Sequence, residues 1–386
     1  MTPGARVAAA ITILDQIKAG MVAEQALTSW ARASRFAGSK DRAAVRDHVF
    51  DVLRARRSLG DGAGRSLMIR LLQRDGEPVE TYFDGVGHAP APLTEAEQVV
   101  LSQPLTLGDA AACDLPDWLW PIWQDSLGDA AMPAAVAQQA RADVFLRVNR
   151  RRGSVTAAIA ALAEDQIVAV QHDTIEGCLR VTTNARRIKS AAAYRDGLVE
   201  LQDAASQFAV AAVSVKKGAR VLDYCAGGGG KALAFADRYA AQVFAHDVAP
   251  QRMQDIPARA ARAKVGITLI QNADLANSGL FDLVFCDAPC SGSGTWRRAP
   301  DAKWRLVQTR LDALTNLQQE VIASAAVQVA PGGTLVYATC SVLKPENDGI
   351  IAQFLSTYPE WVINLRHQLL PGLDGDGFFL CGLTRR

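Results

Sequence analysis

Hydrophobic residues near the start of the chain recur at the three- and four-residue spacing of an α-helix. Two such series are Val7, Ile11, Leu14 and Ile17, and Val45, Val49, Val52 and Leu53. A further helix is predicted over 65–73, and Thr94 followed three residues later by Glu97 is typical of a capping box that begins another. Because no strand pattern occurs before about residue 140, residues 1–140 are predicted to form an all-α domain.

Strands enter the pattern after residue 140, in two successive parts. Residues 141–200 are predicted to form a small α+β segment, with a strand at 144–149, a helix at 154–163 and short strands within 166–183. Strands and helices then alternate through 201–386. The predicted strands are 220–223, 242–247, 267–271, 281–286 and 334–338, and the predicted helices are 230–240, 250–264, 308–330 and 345–357. This alternation predicts a parallel, doubly wound, Rossmann-like α/β sheet, closed by an edge strand at 378–383.

Composition narrows the class of protein. The chain has 386 residues, of which 49% are hydrophobic and 21% charged, values typical of a globular protein with two or three domains. No apolar run approaches the ~18 residues that a membrane span needs, and no secretory signal is recognised. The seven cysteines form no C-x-x-C pair, so we expect no metal site, no disulfides and a location in the reducing cytoplasm.

A glycine-rich loop, 223–231, joins the first predicted strand of the sheet to a helix. Glycines permit close approach of the backbone to a ligand, and a helix N-terminus favours an anionic group. Asp247 and Asp274 follow the second and third strands, so three carboxylates, with Asp223, would line one crevice. The pattern predicts a nucleoside-containing cofactor, either a nicotinamide dinucleotide or S-adenosylmethionine, although a merely tight turn would also be rich in glycine.

Two cysteines, Cys290 and Cys340, follow two further strands of the predicted sheet, and Asp287 precedes the first of them. If these strands are neighbours, both thiols lie at one rim of the crevice. Two thiols and a carboxylate beside a methyl donor suit one reaction, methylation of cytosine at carbon 5. That carbon is a poor nucleophile until a thiolate adds to carbon 6, and an acid must then hold the N3/N4 edge of the ring.

At these residues the sequence resembles the Sun-type (NOL/NOP/Sun) RNA cytosine-5 methyltransferases. The resemblance rests on Asp-Ala-Pro-Cys-Ser-Gly-x-Gly at 287–294 and on Tyr-Ala-Thr-Cys-Ser at 337–341 with Glu346-Asn347 following. Weaker matches at 41–54, 146–149, 202–207, 300–304 and 376–379 extend it over most of the chain. It implies a NusB-like, RNA-binding helical domain at 1–140, a small α+β segment at 141–200 and an S-adenosylmethionine-dependent methyltransferase domain at 201–386.

The resemblance also implies roles for individual residues. Cys340 would be the nucleophile on carbon 6, Cys290 would assist release of the product, and Asp287 would bind the cytosine edge. Asp247 would hold the ribose of the cofactor and Asp274 its adenine. The full set expected to bind S-adenosylmethionine is Asp223, Cys225, Ala226, Gly227, Gly228, Gly229, Gly230, Lys231, Asp247, Arg252, Asp274 and Asp287.

The loop departs from the usual family sequence, Cys-Ala-Ala-Pro-Gly-Gly-Lys-Thr. Gly227 and Gly228 stand in place of Ala and Pro, and Ala232 in place of Thr. Since a loop of four glycines loses more entropy when it is ordered, we expect weaker cofactor binding but retained activity.

The charges are unevenly distributed, although the formal net charge is only +1. Residues 290–310 hold five basic residues and one acidic residue, directly after the cysteine loop. Here Arg297, Arg298, Lys303 and Trp304 combine cations that contact phosphates with an indole that stacks on a base. We expect these four residues to bind ribosomal RNA, at a single-stranded or loop cytosine, although a solvated basic loop would have the same composition. The protein is expected to act as a monomer.

Three other interpretations stay open. Pro289-Cys290 mimics the nucleophilic Pro-Cys pair of DNA cytosine-5 methyltransferases, so Cys290 could be the nucleophile. The altered glycine loop would also suit an RNA-binding module that has lost catalysis. An NAD-dependent dehydrogenase fits the sheet but explains neither thiol.

Overall fold

The computed structural model describes residues 1–386, which divide into two units. The first unit comprises Met1–Gln124, Gly128–Arg141 and Trp296–Leu306, and the second comprises Asp125–Leu127, Ala142–Thr295 and Val307–Arg386. The small α+β segment predicted at 141–200 thus falls within the second unit, while a short segment from far along the sequence belongs to the first.

Residues 1–140 form helices only, as the hydrophobic spacing predicts. The helices are α1 (Pro3–Lys18), α2 (Ala23–Ala33), α3 (Ser39–Arg54), α4 (Gly64–Arg74), α5 (Val79–Tyr82), α6 (Glu95–Ser102), α7 (Asp109–Ala112), α8 (Trp120–Leu127) and α9 (Ala131–Ala137). The predicted capping box begins α6: the Glu97 amide donates to Thr94 Oγ1 at 3.2 Å and the Thr94 amide to Glu97 Oε2 at 2.9 Å. No helix in the chain is long and apolar enough to cross a membrane.

The helices of the first unit pack through the predicted faces. Val7 and Leu14 of the first series and Val45 and Val49 of the second are buried in one core that joins α1 and α3, and the other two members of the first series pack partly buried against it. Burial of an aliphatic side chain of this size contributes about 1.5–3 kcal/mol, so the two series together stabilise the helical unit substantially.

A small antiparallel sheet follows at the start of the second unit. Its strands are β1 (Val144–Val148), β2 (Val168–Gln171), β3 (Cys178–Thr183) and β4 (Val199–Leu201), in the order β2-β3-β1-β4. Helices α10 (Val155–Glu164) and α11 (Ala192–Arg195) accompany it. Leu146, Leu162 and Leu179 are fully buried in its core, so the α+β segment has hydrophobic packing of its own.

The main sheet of the second unit has seven strands. They are β5 (Arg220–Asp223), β6 (Gln242–His246), β7 (Thr268–Ile270), β8 (Phe281–Asp287), β9 (Val329–Thr339), β10 (Trp361–Leu369) and β11 (Phe378–Arg385), in the order β10-β11-β9-β8-β5-β6-β7. The helices of this region are α12 (Ala204–Ala211), α13 (Gly230–Arg238), α14 (Ile256–Ala263), α16 (Gln308–Ala326) and α17 (Asp348–Thr357), whereas α15 (Pro300–Arg305) belongs to the first unit. Short 3₁₀ helices lie at Gly128–Ala130, Ala185–Ser190, Pro250–Met253, Leu275–Asn277 and Lys344–Glu346.

The five predicted strands are parallel neighbours, which confirms the Rossmann-like sheet. The prediction that 378–383 forms an edge strand is wrong. Strand β11 lies between β9 and β10 and is antiparallel to both, and it is buried along most of its length. The edge is β10, which the sequence pattern did not predict. Its polar, half-exposed residues lack the continuous apolar run of an interior strand.

Candidate active site

The two thiols are brought together by the pairing of β8 with β9. Asp287 lies opposite Ala338 in the parallel register, and the Ala288 amide donates to the Ala338 carbonyl at 2.8 Å. The loops that leave these two strands place Cys290 Sγ 3.4 Å from Cys340 Sγ. The condition set by the sequence, that the two strands be neighbours, is therefore met.

The surroundings of Cys290 favour the protonated form of its thiol. The hydrogen bond to Cys340 raises the pKa of Cys290 well above its ordinary value, and burial and the charge of Cys340 add to the effect. This shift favours a protonated Cys290, which can then donate toward the Cys340 sulfur. A thiolate at Cys340 would face a hydrogen-bond donor rather than a second anion.

Glu346 links the loop that carries Cys290 to the loop that carries Cys340. It is fully buried, and its Oε1 accepts from the Ser291 amide at 2.7 Å and from Gln318 Nε2 at 3.1 Å. Its Oε2 accepts from the hydroxyls of Ser291 and Ser341, each at 2.5 Å. Since Ser291 follows Cys290 and Ser341 follows Cys340, one carboxylate fixes the backbone next to both thiols.

The glycine loop turns the chain sharply between β5 and α13. Gly227 and Gly229 have φ angles of +49° and +78°, which favour glycine. A Cβ at Gly229 would lie 2.6 Å from Ile256 Cγ1, so a side chain there would displace the Ile256 side chain. At Gly227, where the family usually has Ala, glycine suits the left-handed backbone.

Two buried carboxylates fix this loop. Asp247 Oδ2 accepts from the Gly227 amide at 2.9 Å, and Arg252 pairs with Asp247 at 3.1 Å. Asp223 Oδ2 accepts from the Ala232 amide at 2.9 Å, whereas Asp223 Oδ1 is buried without a hydrogen-bond partner. Burial raises the pKa of Asp223 to about 7, although the charge of Lys231 acts against it.

An ion pair links the loop to the thiol side of the site. Lys231 Nζ lies 2.6 Å from Asp287 Oδ2. Burial would lower the pKa of Lys231, but the charge and hydrogen bond of Asp287 outweigh it and leave the pKa raised. Lys231 thus remains a cation, and it orients the Asp287 carboxylate beside the two cysteines.

These groups surround a cavity of about 520 Å³. It is lined by Gln202, Ser206, Asp223, Cys225, Ala226, Gly227, Gly228, Gly230, Lys231, Arg252, Asp287, Ala288, Pro289, Cys290, Arg310, Leu314 and Cys340. A side-chain-free loop and a buried carboxylate oxygen without a partner fit a nucleoside-containing cofactor with a cationic group. No group of three or more His, Cys, Asp or Glu side chains that could hold a metal is present.

The structure does not bring every predicted residue into this cavity. Asp274 is exposed, four residues beyond the end of β7, and does not line it. Conversely, Gln202, Ser206 and Arg310 line the cavity without having been predicted. Gln202 and Ser206 belong to the matched segment 202–207, which was a usable signal, whereas Arg310 carries no signal in the sequence.

Arg297 and Lys303, which are predicted to contact RNA, are buried within the first unit. The Arg297 backbone accepts from Arg54 Nε at 2.7 Å and donates to Gln138 Oε1 at 3.0 Å. Trp304 is half-buried, and its Nε1 donates to the Leu53 carbonyl at 2.7 Å. Arg298 is also half-buried. The segment 296–306 is thus packed into the helical unit, although Arg305 is exposed.

The sheet, the glycine loop and the cavity define a Rossmann-like, S-adenosylmethionine-dependent methyltransferase. Within that class, the chain belongs to the 16S rRNA methyltransferase RsmB/F family, whose model matches residues 210–379. The RsmF/B-like ferredoxin-like domain matches residues 115–188, which include the strands of the small sheet up to β3.

The curated relatives carry one shared description. The ribosomal RNA small subunit methyltransferase B of Sodalis glossinidius is 36% identical over 304 residues, which cover 73% of this chain and 69% of that protein. That of Klebsiella pneumoniae subsp. pneumoniae is 32% identical over 285 residues, covering 70% and 66%. The chain thus spans about two thirds of the length of these relatives.

Solved structures show the same fold at low identity. A methyltransferase homologue from Pyrococcus horikoshii aligns with a TM-score of 0.63 and 21% identity, over 72% of this chain and 98% of that one. NSun6 from Pyrococcus horikoshii, crystallised with the S-adenosylmethionine analogue SFG, aligns with a TM-score of 0.62 and 15% identity, over 70% and 98%.

Proposed function

We propose that this protein transfers a methyl group from S-adenosylmethionine to carbon 5 of a cytosine in 16S ribosomal RNA. The observation that carries the proposal is the pair of thiols 3.4 Å apart, beside Asp287, in the cavity that the glycine loop also lines. In this reaction one sulfur must add to the base and later leave it, and a second thiol beside it can assist that departure. We place the protein in the cytoplasm as a monomer.

Cys340 is the proposed nucleophile. Its thiolate adds to carbon 6 of cytosine, a sulfur–carbon bond forms, and the C5–C6 π electrons move to carbon 5, which becomes able to take a methyl group. Loss of the C5 proton to a solvent base then returns an electron pair to the ring, and the sulfur–carbon bond breaks. The raised pKa of Cys290 supports its role in this last step, because a protonated thiol can donate a hydrogen bond to the departing Cys340 sulfur.

Asp287 and Lys231 act on the base. An ionised Asp287 can accept a hydrogen bond from the exocyclic amine of cytosine, which fixes the ring relative to Cys340. Negative charge develops in the ring when the thiolate adds, and the Lys231 cation, 2.6 Å from Asp287, lies where it can offset that charge.

The cofactor supplies an electrophilic methyl group on a sulfonium ion. The proposed holding residues are the loop from Asp223 to Lys231, with Asp247 and Arg252 on the ribose side. Asp223 Oδ1 is suited to a cationic amine because it is buried and lacks a partner. Asp274 is proposed for the adenine, although its exposed position makes it the weakest member of the set.

The test is bisulfite mapping of 16S ribosomal RNA from cells with and without this protein. We expect one cytosine to lose its protection when the protein is absent and to regain it when the wild-type chain is restored. The Cys340→Ala variant, expressed at equal level, should not restore it. An unchanged map in cells without the protein would reject 16S ribosomal RNA as the substrate.

A further inference from the structure

A second large cavity lies in the first unit, apart from the proposed catalytic chemistry. It has a volume of about 740 Å³ and is formed by α2, α3 and the loop between them. Its lining consists of Glu24, Leu27, Thr28, Trp30, Ala31, Arg32, Arg35, Arg42, Ala43 and Arg46. Four arginines face one carboxylate, so the lining carries a formal charge of +3.

Two of the arginines are already engaged. Arg46 forms a bidentate pair with Glu24, with distances of 2.5 and 2.8 Å, and Arg42 Nε donates to the Ala37 carbonyl at 3.0 Å. Arg32 and Arg35 are exposed and have no hydrogen-bond or ion-pair partner in the structure. Because Glu24 is neutralised by Arg46, the free charge of this cleft is that of Arg32, Arg35 and the remaining donors of Arg42.

Aromatic rings accompany these cations. Trp30 lines the cleft. It is half-buried, because part of its side chain packs against the helical core. Phe36 follows Arg35 in the loop beside the cleft, is 77% exposed and does not itself line the cavity. The exposed ring of Phe36, next in sequence to the unpaired Arg35 guanidinium, is suited to stacking on a base whose phosphates the arginines contact.

We propose that this arginine-lined cleft binds a single-stranded segment of the RNA substrate. The inference rests on the proposed function for the identity of the RNA. Arg32 and Arg35 contact its phosphates, and Phe36 stacks on an unpaired base. Single-stranded RNA is favoured over a duplex because stacking requires a base that is not already paired. An acidic protein segment would also pair with the arginines, but it would offer no base to stack on the exposed ring of Phe36.

The experiment measures equilibrium binding of the full-length protein to deproteinised 16S ribosomal RNA from 50 to 400 mM KCl. Arg32→Gln/Arg35→Gln should weaken binding at least fivefold at moderate salt. It should also reduce the slope of log affinity against log salt by about 1.4, since each phosphate that an arginine neutralises on a single strand adds about 0.7 to that slope. Phe36→Ala should weaken binding with no change of slope, since stacking releases no counterions.

The matched control is Lys18→Gln/Arg74→Gln, which removes two exposed cations of the same unit that do not line the cleft. If the control loses as much affinity as Arg32→Gln/Arg35→Gln, the charge acts nonspecifically and the cleft proposal is overturned. If Phe36→Ala bound RNA as tightly as the wild type, and the wild type bound polyglutamate as tightly as RNA, the proposed RNA ligand would be rejected in favour of an acidic protein partner. Failure of the proposed function is separate: methyl transfer would then be absent in the wild type while the cleft variants still lost RNA affinity.

Discussion

The two active-site cysteines lie in contact, with their Sγ atoms 3.4 Å apart. The hydrogen bond to Cys340 and burial raise the pKa of Cys290, which disfavours Cys290 as the thiolate. This argues against the interpretation in which the Pro289-Cys290 pair supplies the nucleophile. Sequence alone left the choice open because both cysteines follow strands and both have plausible neighbours.

The first prediction tests this assignment. In the Cys290→Ala variant, the adduct between Cys340 and RNA should accumulate as a band resistant to denaturant, since release is impaired. Cys340→Ala should form no adduct and lose methyl transfer by about 10³-fold or more. The measurement is a denaturing gel of labelled 16S ribosomal RNA, followed by mass spectrometry of the linked peptide. An adduct that survives in Cys340→Ala and disappears in Cys290→Ala would make Cys290 the nucleophile.

The second prediction concerns Asp223, whose pKa is raised by burial to about 7, against an ordinary value near 4. The folded state therefore binds a proton more tightly than the unfolded state, and stability falls as pH rises from about 4 to about 7. Asp223→Asn removes this loss, so at pH 8 the variant should be more stable by about 2–4 kcal/mol.

The same variant should also bind S-adenosylmethionine more weakly, because the unpartnered oxygen no longer carries charge. Urea unfolding at pH 5 and 8 and calorimetry with the cofactor test both effects, and equal stability of the two chains at pH 8 would contradict the assignment.

At the scale of elements, the site depends on two loops that are held by one carboxylate. Glu346 accepts four hydrogen bonds, three of them from Ser291 and Ser341. The sequence supplied Glu346-Asn347 as a matched motif without a role. The role became visible only when the register of β8 and β9 brought both loops to the same buried oxygen atoms.

The third prediction follows from that arrangement. Glu346→Ala removes the carboxylate that accepts from the Ser291 amide and from the hydroxyls of Ser291 and Ser341, at a cost of about 1–3 kcal/mol for a buried donor that loses its partner, whereas Gln318 Nε2 keeps its hydrogen bond to the Pro289 carbonyl. The turnover rate should fall about 10- to 100-fold while the dissociation constant for S-adenosylmethionine stays the same, because the thiols lose their positions but the glycine loop does not. Glu346→Gln should recover most of the rate.

The matched control is Asp348→Ala, which removes a nearby acidic residue that pairs with Arg366 on the surface. This variant should keep the wild-type rate. A normal turnover rate in folded Glu346→Ala would show that the carboxylate does not position the thiols.

Individual strands differ in how clearly their sequences predict them. Strands with apolar residues followed by glycine or a short polar loop, such as β5 and β8, were predicted close to their observed bounds. Strand β11 was identified but misplaced at the edge, although its nearly continuous apolar residues 378–383 are typical of a strand covered on both faces. Strand β10 was missed because an edge strand with one exposed face mixes polar and apolar residues.

At the scale of the whole molecule, the sequence could not show which unit a segment belongs to. Residues 296–306 follow the cysteine loop in the chain, and their basic composition suggested an RNA-binding surface. They instead complete the helical unit, where Trp296 stacks on Trp123 with ring centroids 5.9 Å apart. Composition records the charge of a residue but not its burial, and Lys303 is buried beside Trp304, with its Nζ 4.6 Å from the ring centroid.

The last prediction uses that buried cation. Burial lowers the pKa of Lys303 to about 8, although the charge of Asp114 acts against it, whereas an unfolded lysine titrates near 10.4. Below pH 8 the lysine is charged in both states and the fold bears the cost of burying it. Between about pH 8 and 10.4 the unfolded state binds the additional proton, so stability gains up to about 2–3 kcal/mol as pH rises through that window.

Lys303→Met cannot titrate and keeps a similar shape, so the stability of the wild type minus that of this variant should increase from pH 7.5 to 9.5 by about 2 kcal/mol. Tryptophan fluorescence during urea unfolding is a suitable measurement, because six of the seven tryptophans lie in the first unit. Groups that do not interact with Lys303 affect both chains equally and cancel in the difference, which leaves Cys113 as the neighbouring group in this range whose contribution changes. A difference that stays constant with pH would mean that Lys303 reaches solvent, and the surface role that its charge first suggested would then be open again.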